Sequence, residues 1–227
     1  MASQLNFEVI KIILLGSLLL AFAYSFNDYC EKRRKSKYFV APILLLIIIL
    51  PLFNYLQILF SILGLSIATA YSIKPISLRE KPILVSFANA VAVPILFLIG
   101  YFYIPIINLT SLGIAFLLFC FVMVGQLLHE VTHMRQDEKK KIVTSALLFG
   151  EKNIKYICYT FLLLSSVFTY FLFYVRIINI VFLLSTLTFC SVSVLEIKIK
   201  KIDYNLRKTY VSLSAVLGLI YILSFHI

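Results

Sequence analysis

Residues 126–150 read QLLHEVTHMRQDEKKKIVTSALLFG and set two histidines, three acids and four bases between two long apolar runs. On a helix continuing out of the preceding run, Glu130, His133 and Asp137 stand at i, i+3 and i+7, so the three side chains line one face. Such a stripe of ligand-type side chains, followed at once by Lys139, Lys140 and Lys141, suits a site that holds an anion beside a metal. Whether this polar stretch lies on a soluble domain or between membrane crossings decides the fold, and its flanks answer that.

The chain is 62% apolar with a mean hydropathy of +1.00, which excludes a soluble globule. Apolar runs near 9–26, 83–104, 108–128, 157–175, 177–196 and 209–226 each approach the ~20 residues that cross ~30 Å of hydrocarbon. The run 38–73 is too long for one crossing, and Pro51 and Asn54 interrupt it, so it is expected to fold back as a hairpin of two short spans. The expectation is one all-α domain over 1–227, a polytopic transmembrane helical bundle of about eight spans.

Charge sets the orientation, because short basic loops stay on the cytoplasmic side. Of the 21 Lys and Arg, all but Lys11 and Arg176 fall in alternate loops, at 27–37, 74–82, 129–156 and 197–208. That bias places these loops inside and, with eight spans, both termini outside, in an integral protein of a prokaryotic plasma membrane. The net charge of +11 then faces anionic membrane lipid and calls for no nucleic acid. Ala21-Phe22-Ala23 resembles a signal cleavage triplet, but no basic segment precedes it, and cleavage would leave the cluster of loop 27–37 on the translocated side. Cys30, Cys120, Cys158 and Cys190 lack CxxC spacing and imply neither disulfides nor a zinc cluster. The loops of the other face, around 51–54, 104–108 and 175–177, are short and nearly uncharged, so chemistry belongs to the basic side.

Two further segments carry oxygen and basic groups. In loop 27–37, Asn27 and Glu31 are one helical turn apart, an arrangement that suits a hard cation, although the acids equally offset the neighbouring bases. Loop 74–82 and its approach supply Tyr71, Ser72, Lys74, Pro75 and Arg79 in a proline-structured turn, whose bases suit either a phosphate or anchorage at the interface.

With these segments side by side, the chain resembles the UbiA family of membrane prenyltransferases. Asn27, Asp28 and Glu31 correspond to that family's first acidic motif, and Tyr71, Ser72, Pro75 and Arg79 to its Tyr-Ser-x-x-Pro turn. Glu130, Asp137, Thr144 and Gly150 correspond to its second motif with the Thr and Gly that follow. The resemblance implies an Mg2+-dependent transfer of an isoprenyl group from an isoprenyl diphosphate to a lipophilic or aromatic acceptor. Asn27, Asp28, Glu31, Glu130 and Asp137 would lie on the metal side, with Glu130 and Asp137 as catalytic candidates. Arg79, Lys74 and Arg135 would meet the diphosphate, near Tyr71 and Ser72. Two positions depart from the pattern: Lys35 and His133 stand where the family has Asp. A charged lysine is no Mg2+ ligand and imidazole a poor one, so a non-catalytic relative is the second reading.

A third reading comes from the residues alone. His129-Glu130-Val131-Thr132-His133 spells HExxH, which on a helix pairs two imidazoles for Zn2+ with Glu130 as general base, as in an intramembrane metalloprotease. It needs a third ligand that no second motif supplies, and it leaves the segments around Asn27 and Tyr71 unexplained.

Overall fold

The computed structural model describes residues 2–31, 37–139 and 142–224; Lys35, Lys140 and Lys141 lie outside them. Eight α-helices occur among the described residues: α1 Ala2–Cys30, α2 Val40–Ile49, α3 Tyr55–Ser72, α4 Leu84–Tyr101, α5 Leu109–Lys139, α6 Ser145–Tyr174, α7 Ile180–Ile199 and α8 Tyr204–Ser224. No strand occurs among these residues. Six of the helices, α1 and α3 to α7, are long and apolar enough to cross a membrane, and the protein is an integral membrane protein. The other two differ for separate reasons. Helix α2 has 10 residues and at 1.5 Å each reaches only about half the hydrocarbon thickness. Helix α8 is longer but carries Asn205, Arg207, Lys208 and Thr209 in its first two turns.

The chain falls into two compact units, Met1–Arg79 with Ala92–Ser111, and Glu80–Val91 with Leu112–Ile227. In the first unit the break inside 38–73 is a short 3-10 turn, Leu50–Leu52, with Pro51 at its start. Asn54 then caps α3. Its side chain accepts the N–H groups of Leu56 and Gln57, and Gln57 returns a bond to the Asn54 N–H. This satisfies orphan donors that would otherwise face an apolar surround. Buried Gln57 also donates to the carbonyl of Ile99 at 3.0 Å, tying α3 to the end of α4. At the opposite end of α1, Phe22, Phe26 and Tyr29 close around Phe39, with Phe26 and Phe39 edge to face at 5.2 Å.

In the second unit α5 runs unbroken through Lys139, so the stretch expected as a loop over 129–156 is helix over 129–139 and again from Ser145, with 142–144 outside any helix. Thr144 caps α6, accepting the Leu147 N–H, and the helix starts there instead of near residue 157. Hydropathy misses this start because Glu151, Lys152, Asn153 and Lys155 make the first turns polar. Gly150 interrupts α6 at φ 74°, ψ 157°, a conformation glycine adopts without penalty from a Cβ. Gly113 lets α5 approach α6, since a Cβ there would lie 2.8 Å from Leu172. Phe116 with Phe168, Phe119 with Phe161 and Phe121 with Phe189 fill α5 against α6 and α7. Tyr210 of α8 is buried and donates to the Phe121 carbonyl at 2.9 Å. All four cysteines are free.

Candidate functional site

The two acidic segments fall in different units. In the first unit, α1 keeps its helical geometry to Cys30, which puts Asn27 and Glu31 one above the other at its end. The Asn27 amide donates to Glu31 Oε1 at 2.9 Å. Ser72, the last residue of α3, donates its hydroxyl to Asn27 Oδ1 at 3.1 Å. Arg79, on a 3-10 turn formed by Leu78–Glu80, is ion-paired with Glu31. Helix end, helix end and turn therefore meet in one half-buried network of oxygens and a guanidinium, and four of the expected residues are joined in it. Asp28 and Tyr71 lie half-buried beside it, and Lys74 is exposed. Proline chemistry shapes the turn: the Lys74–Pro75 peptide is cis and Ser77 adopts φ 28°.

In the second unit the expected stripe on α5 is helical throughout but grades from interior to surface. Asp137 and His133 are half-buried, and Arg135 is exposed. Glu130 is 4% exposed, and both of its oxygens are engaged. Oε1 accepts the Ser86 hydroxyl at 2.6 Å and the Gln126 amide at 3.4 Å, while Oε2 accepts the Ala146 N–H at 3.3 Å. Ser86 and Ser145 lie 2.6 Å apart, and Ser145 Oγ accepts the N–H of Ile83 at 2.9 Å. Sequence reasoning missed Ser86 and Ser145. The available signal was a lone hydroxyl in each of two apolar helix starts, opposite the one buried-type acid of α5.

The HExxH pair occupies the same helix. The rings of His129 and His133 are edge to face with centroids 4.4 Å apart. His133 Nδ1 sits 3.3 Å from Gln136 Oε1, and His129 Nδ1 is buried without a hydrogen-bond partner. Glu130, the base that a zinc hydrolase needs beside them, is held by Ser86 and the start of α6. Among the described residues no three His, Cys, Asp or Glu side chains form a group that could hold a metal ion.

For Mg2+ the test is donor chemistry. This ion takes oxygen ligands and commonly binds through one or two carboxylates, keeping waters and substrate phosphates for its other positions. Asn27 Oδ1 and the Glu31 carboxylate, with Asp28 beside them, are of that type and stand within one turn of helix. His129 and His133 are not. By donor type, the residues of the first unit suit such an ion; in the second unit Asp137 is a half-buried acid of the same type.

The model of the UbiA prenyltransferase family matches residues 32–216. No curated protein matches the sequence. Among solved structures, the chain is similar to a UbiA homologue from Archaeoglobus fulgidus bound to Cd2+, with TM-score 0.76 and 15% identity over 97% of this chain and 87% of that one. A UbiA homologue from the same organism bound to GPP and Mg2+ gives 0.74 and 14%, over 97% and 88%. A digeranylgeranylglyceryl phosphate synthase gives 0.75 and 12%, over 97% and 85%.

Proposed function

Since the chain belongs to the UbiA prenyltransferase family, we propose that it is a membrane prenyltransferase that moves an isoprenyl group from an isoprenyl diphosphate to a lipophilic or aromatic acceptor, with Mg2+. One observation carries the reading: Asn27, Glu31, Ser72 and Arg79 are already joined in a single network at two helix ends. It sets oxygens for a hard cation beside a guanidinium whose fork matches phosphate oxygens. Similar folds, UbiA homologues from Archaeoglobus fulgidus bound to GPP with Mg2+ and to DMAPP with Mg2+, support the donor class.

In the reaction the allylic C–O bond breaks, diphosphate leaves with the bonding pair, and a nucleophilic atom of the acceptor closes on the carbon and then gives up its proton. When bound, Mg2+ supplies positive charge against the departing diphosphate. In the first unit Asn27, Asp28 and Glu31 would hold it, and in the second Asp137 is the metal-side candidate. Arg79 turns from Glu31 toward the diphosphate and stabilises the charge that grows there. Lys74 and Arg135 add weaker positive field, and Tyr71 and Ser72 shape the donor head. The apolar helices exclude water from the allylic cation. The basic loops face the cytoplasm of a prokaryotic cell, so that donor enters from that side.

Purified protein given labelled isoprenyl diphosphate, Mg2+ and a set of acceptors should release diphosphate and label one acceptor. Absence of both donor binding and release would remove the proposal. The second reading, a relative that binds donor without turnover, draws on the pairing of Glu31 with Arg79 and on His133 in an acid's place. Donor binding without release in every acceptor mixture would favour it.

A further inference from the structure

We propose that Glu130 is a positioning residue that locks the end of α5 to the starts of α4 and α6, and is not a ligand of the cation; this rests on the transferase reading above. The hydrogen bonds run in one direction. Ser86 has a single hydroxyl proton and gives it to Glu130 Oε1. The proton between Ser86 and Ser145 must then come from Ser145, whose oxygen accepts the Ile83 N–H. The chain is Ile83 N–H to Ser145, Ser145 to Ser86, Ser86 to Glu130, with every donor used once and the carboxylate as terminal acceptor. Such chains polarise one another and are costly to break in a buried setting.

The other oxygen does a second task. The first four N–H groups of a helix lack intrahelical partners. At the start of α6, Thr144 takes that of Leu147 and Glu130 takes that of Ala146. The partial positive charge of a helix start suits a carboxylate there. An ionised carboxylate has about four lone-pair sites, and three donors already face Glu130 at a residue 4% exposed. Ile83 gives the lock its cost. It holds φ 69°, a β-branched residue in the left-handed region, and its N–H opens the chain of bonds that keeps it there. The Ile142 N–H also donates to the Asp137 carbonyl at 3.0 Å.

The test uses the full chain in lipid nanodiscs and compares Glu130→Gln, Ser145→Ala, their double variant and Asp137→Asn. In Glu130→Gln the amide NH2 must face either the Ala146 N–H or the Ser86 hydroxyl and Gln126 amide, so either the start of α6 loses its acceptor or the serine relay has to reverse, while size is kept. Glu130→Gln and Ser145→Ala should each lower kcat several-fold, with donor KM and the Mg2+ concentration for half-maximal rate within about twofold of wild type. The double variant should be no worse than the poorer single one. Asp137→Asn should instead raise the Mg2+ requirement by about tenfold or more, as loss of a metal-side group does. Trypsin cleavage within 139–141 should quicken several-fold in both lock variants. A tenfold rise in Mg2+ requirement for Glu130→Gln with Ser145→Ala unchanged would overturn the proposal. If wild-type protein neither binds donor nor releases diphosphate, the transferase reading fails instead, and the trypsin comparison still decides the lock: unchanged cleavage in Glu130→Gln overturns it.

Discussion

Glu31 and Glu130 are the same side chain at the polar end of a long apolar helix, and they live in opposite surroundings. Glu31 is half-buried, opposed by a guanidinium and bonded to a neutral amide. Glu130 is buried among a hydroxyl, an amide and a backbone N–H, with no ion pair among the described residues. A carboxylate that meets a mobile cationic partner near water can exchange that partner for another charge. One satisfied by fixed neutral donors cannot do so without leaving them unpaired, which is expensive in a low-dielectric interior. The first environment suits recognition of a charged ligand and the second suits architecture.

Substitutions can break or sharpen this contrast. The largest effect is expected from Arg79→Ala, which should lower diphosphate release by about 10²–10³-fold, the scale seen when one donor to a developing anion is removed. Thermal stability should move little, and Arg79→Lys should rescue poorly because a point charge lacks the fork. An unchanged rate would mean that the network around Glu31 is architecture too. Next is Ser86→Ala, which leaves a buried carboxylate short of its nearest donor. Unfolding in graded denaturant should show a loss of about 1–3 kcal/mol, larger than any change in donor affinity. Its counterpart Ser72→Ala removes a bond to a half-buried neutral oxygen and should cost about 0.5–1.5 kcal/mol, with donor affinity falling instead. Equal stability losses in the two serine variants would erase the distinction. Smallest are the caps. Thr144→Ala and Asn54→Ala should each cost about 1 kcal/mol, and only the first should speed trypsin cleavage in 139–141.

Much of the fold could be read from residue order. Apolar run lengths located α1, α4, α5 and α7, and Pro51 with Asn54 marked the break between α2 and α3. Hydropathy failed where helix and membrane part company. The last two turns of α5 and the second and third of α6 are charged, and helical geometry persists because caps and hydrogen bonds, not lipid, sustain it. At the site, Asn27, Glu31, Ser72 and Arg79 were legible as types of ligand, and the structure joins them. The burial of Glu130 was not, because its partners in the two other helix starts are the Ser86 hydroxyl and the Ala146 N–H, 44 and 16 residues away in sequence.

Thr144 and Gly150 bracket a stub of helix whose hydroxyl, on Ser145, must point at Ile83 and Ser86. Gly150 redirects the chain, so the stub does not inherit its rotation from the rest of α6, and its azimuth is set locally by the cap and the lock. A residue inserted between Thr144 and Ser145 would turn that hydroxyl by about 100° around the stub and empty its place in the relay. The number of residues between threonine and glycine thus acts as an angular gauge, under tighter limits than the identity of the residues that fill it.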